Sequence, residues 1–156
     1  QREKLKAKTS LKNKVVGESN GKTRSIDSVV NNRLLLPLKV NGKSVYFLVD
    51  TGASIALVDI TKTKELGYKL GSKLSSTIVG AGGEASEVYH TKDLDVDLNG
   101  HKLYQFVATN IDNIKKSIKQ NTDYEIFGIL SLKQMQDIGM IIDTASGNIY
   151  FKEKEN

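Results

Sequence analysis

The sequence predicts a mostly β domain that begins near residue 29 and follows a basic tail. Three observations predict it: apolar residues alternate over strand-length runs, two Asn-Gly pairs each separate such runs, and a glycine-rich tip divides another pair. Helical periodicity is confined to short stretches.

Leu34, Leu36, Leu38 and Val40 alternate along the first run, and Pro37, which cannot donate to a ladder, marks an edge position or a bulge within it. Asn41-Gly42 then predicts a tight hairpin. The return run, 44–49, ends nearly continuously apolar, as a strand buried on both faces does, and it delivers the chain to Asp50. Ala56-Leu57-Val58 is a short apolar stretch; Asp59 can cap a brief helix through Leu66 that Gly67 ends. Strands are expected over 75–79 and 85–90, separated by the tip Gly80-Ala81-Gly82-Gly83-Glu84. Leu94, Val96 and Leu98 read as a half-exposed strand, and Asn99-Gly100 turns it into a strand over 102–107. Ile111, Ile114 and Ile118 share a helical face, with Asp112 and Lys116 spaced as i,i+4 partners, so 110–123 reads as a surface helical insertion. The run 124–130, a helix over 131–138 ended by Gly139, and a last hairpin of 140–143 with 148–151 complete the domain. Asp50 and Gly128 each follow a buried apolar run and precede a short helix, an echo that fits approximate internal two-fold symmetry.

At 156 residues the chain is long enough to bury a core without covalent staples, and it has no cysteine to form a disulfide or a thiolate nucleophile. No apolar run approaches the length of a membrane span. Residues 1–33 hold nine Lys/Arg against three Asp/Glu, whereas the remainder holds fourteen against fifteen. The basic charge therefore belongs to residues 1–28, expected as a flexible tail or linker, and not to the domain at 29–156. A near-neutral domain gives no reason to expect nucleic acid as its main partner. Opening on Gln, with a tether-like segment after it, leans toward an extracytoplasmic protein whose leader has been removed.

The chemistry concentrates in Phe47-Leu48-Val49-Asp50-Thr51-Gly52-Ala53-Ser54. A carboxylate placed directly after a buried strand is costly unless it is paired or hydrogen-bonded. Gly52 permits a tight turn, Ala53 and Ser54 leave room beside the acid, and Thr51 offers a hydroxyl that can bond across an interface. These are the requirements of a site in which two identical loops meet.

With Ile126-Phe127-Gly128 at the matching distance, and with Met140-Ile141-Ile142-Asp143 and Asn148-Ile149-Tyr150-Phe151 closing the pattern, the string resembles the retropepsin-like aspartic proteases over roughly 34–151, bacterial members included. The resemblance implies a closed β-barrel domain that works as a homodimer. Asp50, Thr51 and Gly52 would be catalytic, Ala53, Ser54 and Gly128 would support the loop, and Gly80, Ala81, Gly82 and Gly83 would form a flap over an extended peptide substrate. It implies no metal and no cofactor. This chain departs from the retroviral pattern in its basic tail, its 110–123 insertion, the absence of a large apolar residue at the flap tip, and a charged end, Lys152-Glu153-Lys154-Glu155, that argues against interleaved termini.

Other readings carry less. Asp143-Thr144-Ala145-Ser146 lacks the glycine and reads as a hairpin turn. Gly80-Ala81-Gly82-Gly83 lacks the third glycine of a dinucleotide loop, and a strand follows it. His90 and His101 have no metal-ligand spacing, and Asp95 and Asp97 fit the solvent face of a strand. The rivals to a peptidase are a non-catalytic dimeric or peptide-binding module on the same fold, and an adaptor whose basic tail engages an anionic surface.

Overall fold

The computed structural model describes residues 2–6, 8–9, 34–79, 85–143 and 148–152. The glycine-rich tip at 80–84 and residues 144–147 lie outside them. Thirteen strands and three short α-helices are formed among the described residues, so the mostly β expectation stands.

Strands β3 (Leu34–Val40) and β4 (Lys43–Val49) make the first hairpin, paired from Leu34↔Val49 to Val40↔Lys43. Its turn residues both have positive φ, 49° at Asn41 and 84° at Gly42, the backbone that Asn-Gly tolerates best. The Asn41 amide also donates to Leu66 O at 2.8 Å and to Asp93 O at 3.0 Å, tying this turn to two later loops. On the other side of β3, β2 (Lys8–Thr9) pairs with Leu34–Leu35 and β8 (Val96–Leu98) pairs with Lys39–Val40. Pro37 falls in the gap between them, where a missing N–H costs no ladder bond.

The main sheet runs β6-β7-β10-β5-β11-β4-β3-β8-β9. Its remaining members are β5 (Ala56–Asp59), β6 (Lys69–Val79), β7 (Ala85–Lys92), β9 (His101–Leu103), β10 (Phe106–Thr109) and β11 (Ile126–Leu130). This order is a path with two ends, the β6–β7 hairpin at one and the β8–β9 hairpin at the other. Among the described residues no ladder joins those ends into the closed barrel the sequence suggested. A second sheet, β1 (Arg2–Lys6), β13 (Asn148–Lys152) and β12 (Ile141–Asp143), lies in the order β1-β13-β12. Arg2–Lys6 and Lys8–Thr9 thus form strands within the segment read from composition as a loose tail; backbone pairing needs no apolar side chains, which is what that composition lacked.

The single strand expected over 102–107 is two. Gln105 has φ +70°, and at that kink the chain leaves β8 and joins β5 and β7 instead. The Gln134 amide holds the kink by donating to Tyr104 O at 2.8 Å and to Gln105 O at 3.3 Å. Gln134 belongs to α3 (Leu132–Asp137), where it completes a capping box with Ser131. Among the described residues the first helical stretch is a 3₁₀ turn, Ile60–Lys62, followed by α1 (Thr63–Leu66); Asp59 caps it by accepting from Thr61 N at 2.9 Å, and Gly67 ends it at φ 77°.

Side-chain alternation divides the interior in two. Leu34, Leu36, Phe47, Val58, Phe127 and Leu130 face one cluster, roofed by Ile149 and Phe151 of β13. Leu35, Leu48, Leu57, Val107, Ile126 and Ile129 face the other. Helix α2 (Asp112–Asn121), the expected insertion, packs Ile111, Ile114 and Ile118 onto this second cluster. It is pinned there by Lys115, whose Nζ lies 2.6 Å from Oδ2 of the fully buried Asp59. Thr61 also donates to the Asp59 carboxylate, from N at 2.9 Å and from Oγ1 at 2.7 Å. Replacing Lys115 by Met leaves that buried carboxylate without its counter-charge; urea unfolding at neutral pH is expected to show a loss of about 3 kcal/mol, at the low end for a broken buried pair.

Candidate active site

Asp50 stands at the end of β4, where burial on both faces gives way to solvent. Its backbone is fixed by the neighbouring strand: Asp50 N donates to Leu130 O at 3.1 Å, at the end of β11. The loop then turns on itself, with Ala53 N donating to Asp50 O at 3.1 Å. Gly52 N donates to Oδ1 of the same aspartate at 3.0 Å, so one carboxylate oxygen is oriented by the loop that follows it. Asp50, Thr51, Gly52 and Ser54 are exposed and Ala53 is half-buried.

β4 and β11 run parallel, with Gly128 opposite Phe47, Ile129 opposite Leu48 and Leu130 opposite Val49. On its other edge β11 pairs antiparallel with β5. The site is therefore carried on three adjacent central strands, and both the departing and the returning ends of the Asp50 loop belong to that layer. Gly128 sits where the β4–β11 register slips. A Cβ there would lie 2.5 Å from Leu57 O and 2.5 Å from the Phe47 ring. Phe47 is fully buried and stacks edge-on with Phe106 and Phe127, both at 5.7 Å, so it has nowhere to retreat. Gly128 is therefore packed, through Phe47, against the strand that holds Asp50.

The sequence-derived loop residues 50–54 and Gly128 are thus brought to one layer. Gly80, Ala81, Gly82 and Gly83 lie outside the described residues, but the strands that carry them, β6 and β7, pair from Lys69↔Lys92 to Val79↔Ala85. Leu74 and Val88 from these strands pack on the same cluster as Leu48. The hairpin is clasped by Lys73 Nζ to Glu87 Oε1 at 2.8 Å, and Tyr89 OH donates to Glu87 Oε2 at 3.0 Å. Those bonds, from Lys73 first, hold the Glu87 carboxyl below the usual carboxylate range. Asp143 pairs with Asn148 across residues 144–147, as a hairpin does.

Sequence reading missed three contributors: the Leu130 carbonyl, the aromatic packing of Phe47, and the Asp59–Lys115 pair at the far end of β5. The first leaves no side-chain signal, and the pair joins positions 56 residues apart.

The profile of the family described as Aspartyl protease matches residues 36–133. The chain belongs to the aspartyl protease family. Among solved structures it is similar to the EIAV protease complexed with an inhibitor, at 20% identity over 76% of this chain and 95% of that one, with a TM-score of 0.50. It is also similar to a retropepsin-like aspartic protease from Rickettsia conorii, at 14% identity over 97% and 91% of the two chains, with a TM-score of 0.49. No curated protein sequence matches. The EIAV likeness shows a retropepsin-like fold.

Two measurements check the packing at Gly128 and the clasp of the β6–β7 hairpin. Gly128→Ala forces a Cβ against backbone and a locked ring, so thermal or urea unfolding is expected to show a loss of about 3 kcal/mol, the upper part of the overpacking range. In an NMR titration the Glu87 carboxyl is expected to protonate at lower pH than a reference glutamate, and Lys73→Met to return it toward the reference. The sign follows from the depressed value: the clasp is intact above the ordinary glutamate range and is lost as pH falls through the folded-state value.

Proposed function

We propose that this chain is an aspartic endopeptidase that works as a homodimer, each copy supplying one Asp50 to a shared pair of carboxylates. The observation that carries the reading is the exposed Asp50 carboxylate, held by Gly52 N at the end of a buried strand. One aspartate cannot by itself provide both an acid and a base. Two held close together share one proton, because adjacent like charges resist double ionisation. The ionised member takes a proton from water as the water attacks the peptide carbonyl carbon, and the protonated member donates to the carbonyl oxygen. The two pKa values then belong to the pair.

The surroundings support a second copy at this face. Thr51 is exposed and lines a groove of about 460 Å³ with Leu132, Met135, Ile141 and Ile142. Leu132 and Ile141 are 43% and 48% exposed, and Ile55 beside the loop is 36% exposed, an apolar surface that association would cover. Among the described residues β12 is an edge of its sheet, since β13 lies between it and β1. In this reading Thr51 joins the two loops, Ala53, Ser54 and Gly128 support them, and Gly80, Ala81, Gly82 and Gly83 form the flap over an extended peptide bound by strand addition.

A peptide library incubated across pH is expected to be cleaved most strongly in mild acid, and Asp50→Asn to lose on the order of 10³-fold in rate. Equal cleavage by both forms would end the assignment; peptide binding without cleavage by either would favour a non-catalytic binding module. Activity per chain is expected to fall on dilution as the dimer separates in sedimentation, and a fully active monomer contradicts the shared site.

A further inference from the structure

We propose that helix α2 forms one wall of the substrate cleft and that Ile114 helps set which peptide side chain is accepted beside Asp50. The inference rests on the peptidase reading of Asp50 and goes beyond it, because the sequence marked this helix only as a surface insertion.

Alternation fixes the face. On β4, Val45, Phe47 and Val49 belong to or pack against the first cluster, while Tyr46 and Leu48 belong to the second. The next residue on the second face is Asp50. On β5 the same rule puts Leu57 and Asp59 on that face, and Asp59 is where Lys115 of α2 is anchored. Ala53 of the acidic loop is half-buried against the cluster that takes Ile111, Ile114 and Ile118 from the helix. Helix, loop and carboxylate therefore share one side of the sheet, and Leu74 and Val88 of the β6–β7 hairpin border it as well.

The helix has two unlike flanks. Lys115 binds Asp59, at the end of β5 remote from the Asp50 loop. About 100° per residue separates neighbours around the axis, so Ile114 and Ser117 fall on the flank away from Lys115. Both are only half-buried, unlike Ile111 and Ile118, which are sealed in the cluster. Tyr124, which meets Tyr46 edge-on at 4.9 Å, packs on the same cluster as Ile114. A peptide lying over Leu48 and Asp50 would meet Ile114 on one side and the hairpin on the other. That makes Ile114 a contact for a substrate side chain, and Lys115 a positioning residue acting through the helix.

Two arms test this. In a peptide library, Ile114→Ala is expected to shift preference at one substrate position toward bulkier side chains by about tenfold in kcat/KM. The volume-conserving Ile114→Met, which keeps the fold, is expected to alter preference at the same position. An unchanged preference, or a uniform loss for all peptides in both variants, overturns the specificity role. The second arm does not need catalysis, and the absence of native cysteine makes it direct. A nitroxide on Ser117→Cys is expected to broaden the Gly52 and Ala53 amide signals, while one on Lys102→Cys, on the β9 end of the sheet, leaves them sharp. Sharp Gly52 and Ala53 signals with the Ser117 label overturn the placement of α2. Failure of wild-type cleavage with those signals broadened instead defeats the peptidase reading alone.

Discussion

The molecule depends on one constraint: a carboxylate must emerge from a strand buried on both faces without letting that strand move. The parallel contact between β4 and β11 meets it. Leu130 O receives the Asp50 N–H, and three residues earlier on β4 the Phe47 ring lies against a position on β11 that only glycine can occupy. Close packing there is what turns a short exposed loop into a fixed one. Without it Gly52 N would still reach Oδ1, but the hydrogen bond would orient the acid relative to a loop that itself wandered.

The same layer explains the insertion. A strand with apolar residues on both sides needs cover on both sides, and the second sheet covers only the Phe47 side. Helix α2 covers part of the Leu48 side, the side to which alternation also assigns Asp50. The ion pair with Asp59 makes the cover rigid at a definite register, since a fully buried carboxylate admits little choice of partner position. Cover for the strand and an anchor for the buried Asp59 thus meet in one ten-residue helix.

How far the sequence reached depends on the range of each interaction. Asn41-Gly42 and Asn99-Gly100 declare themselves locally, because positive φ at two successive residues is a property of those residues. The Asp50 loop was equally visible, as was the helix ended by Gly139. Partner choice was not. Apolar spacing at Ile111, Ile114 and Ile118 shows that a helix has a buried face, but not which sheet surface receives it. The kink at Gln105 hides within an apolar run, because it is held by a glutamine amide 29 residues later. The Arg2–Lys6 strand was unreadable for the opposite reason: its sequence is mostly charged, whereas its pairing with β13 is a matter of main chain. Closure of the main sheet is a property of strand order, which short-range pattern does not encode.

That first strand has a mechanical consequence. β1 lies antiparallel on β13 with Arg2 opposite Lys152 and Lys6 opposite Asn148, so the outermost pair is the one nearest both ends of the described chain. Tension applied between those ends would load the rungs singly and peel them in order, as a zipper opens, instead of straining all of them together. The strand is therefore the first part to yield to a pull, while the layer that carries the acid stays beyond the reach of that force until the peeling is complete.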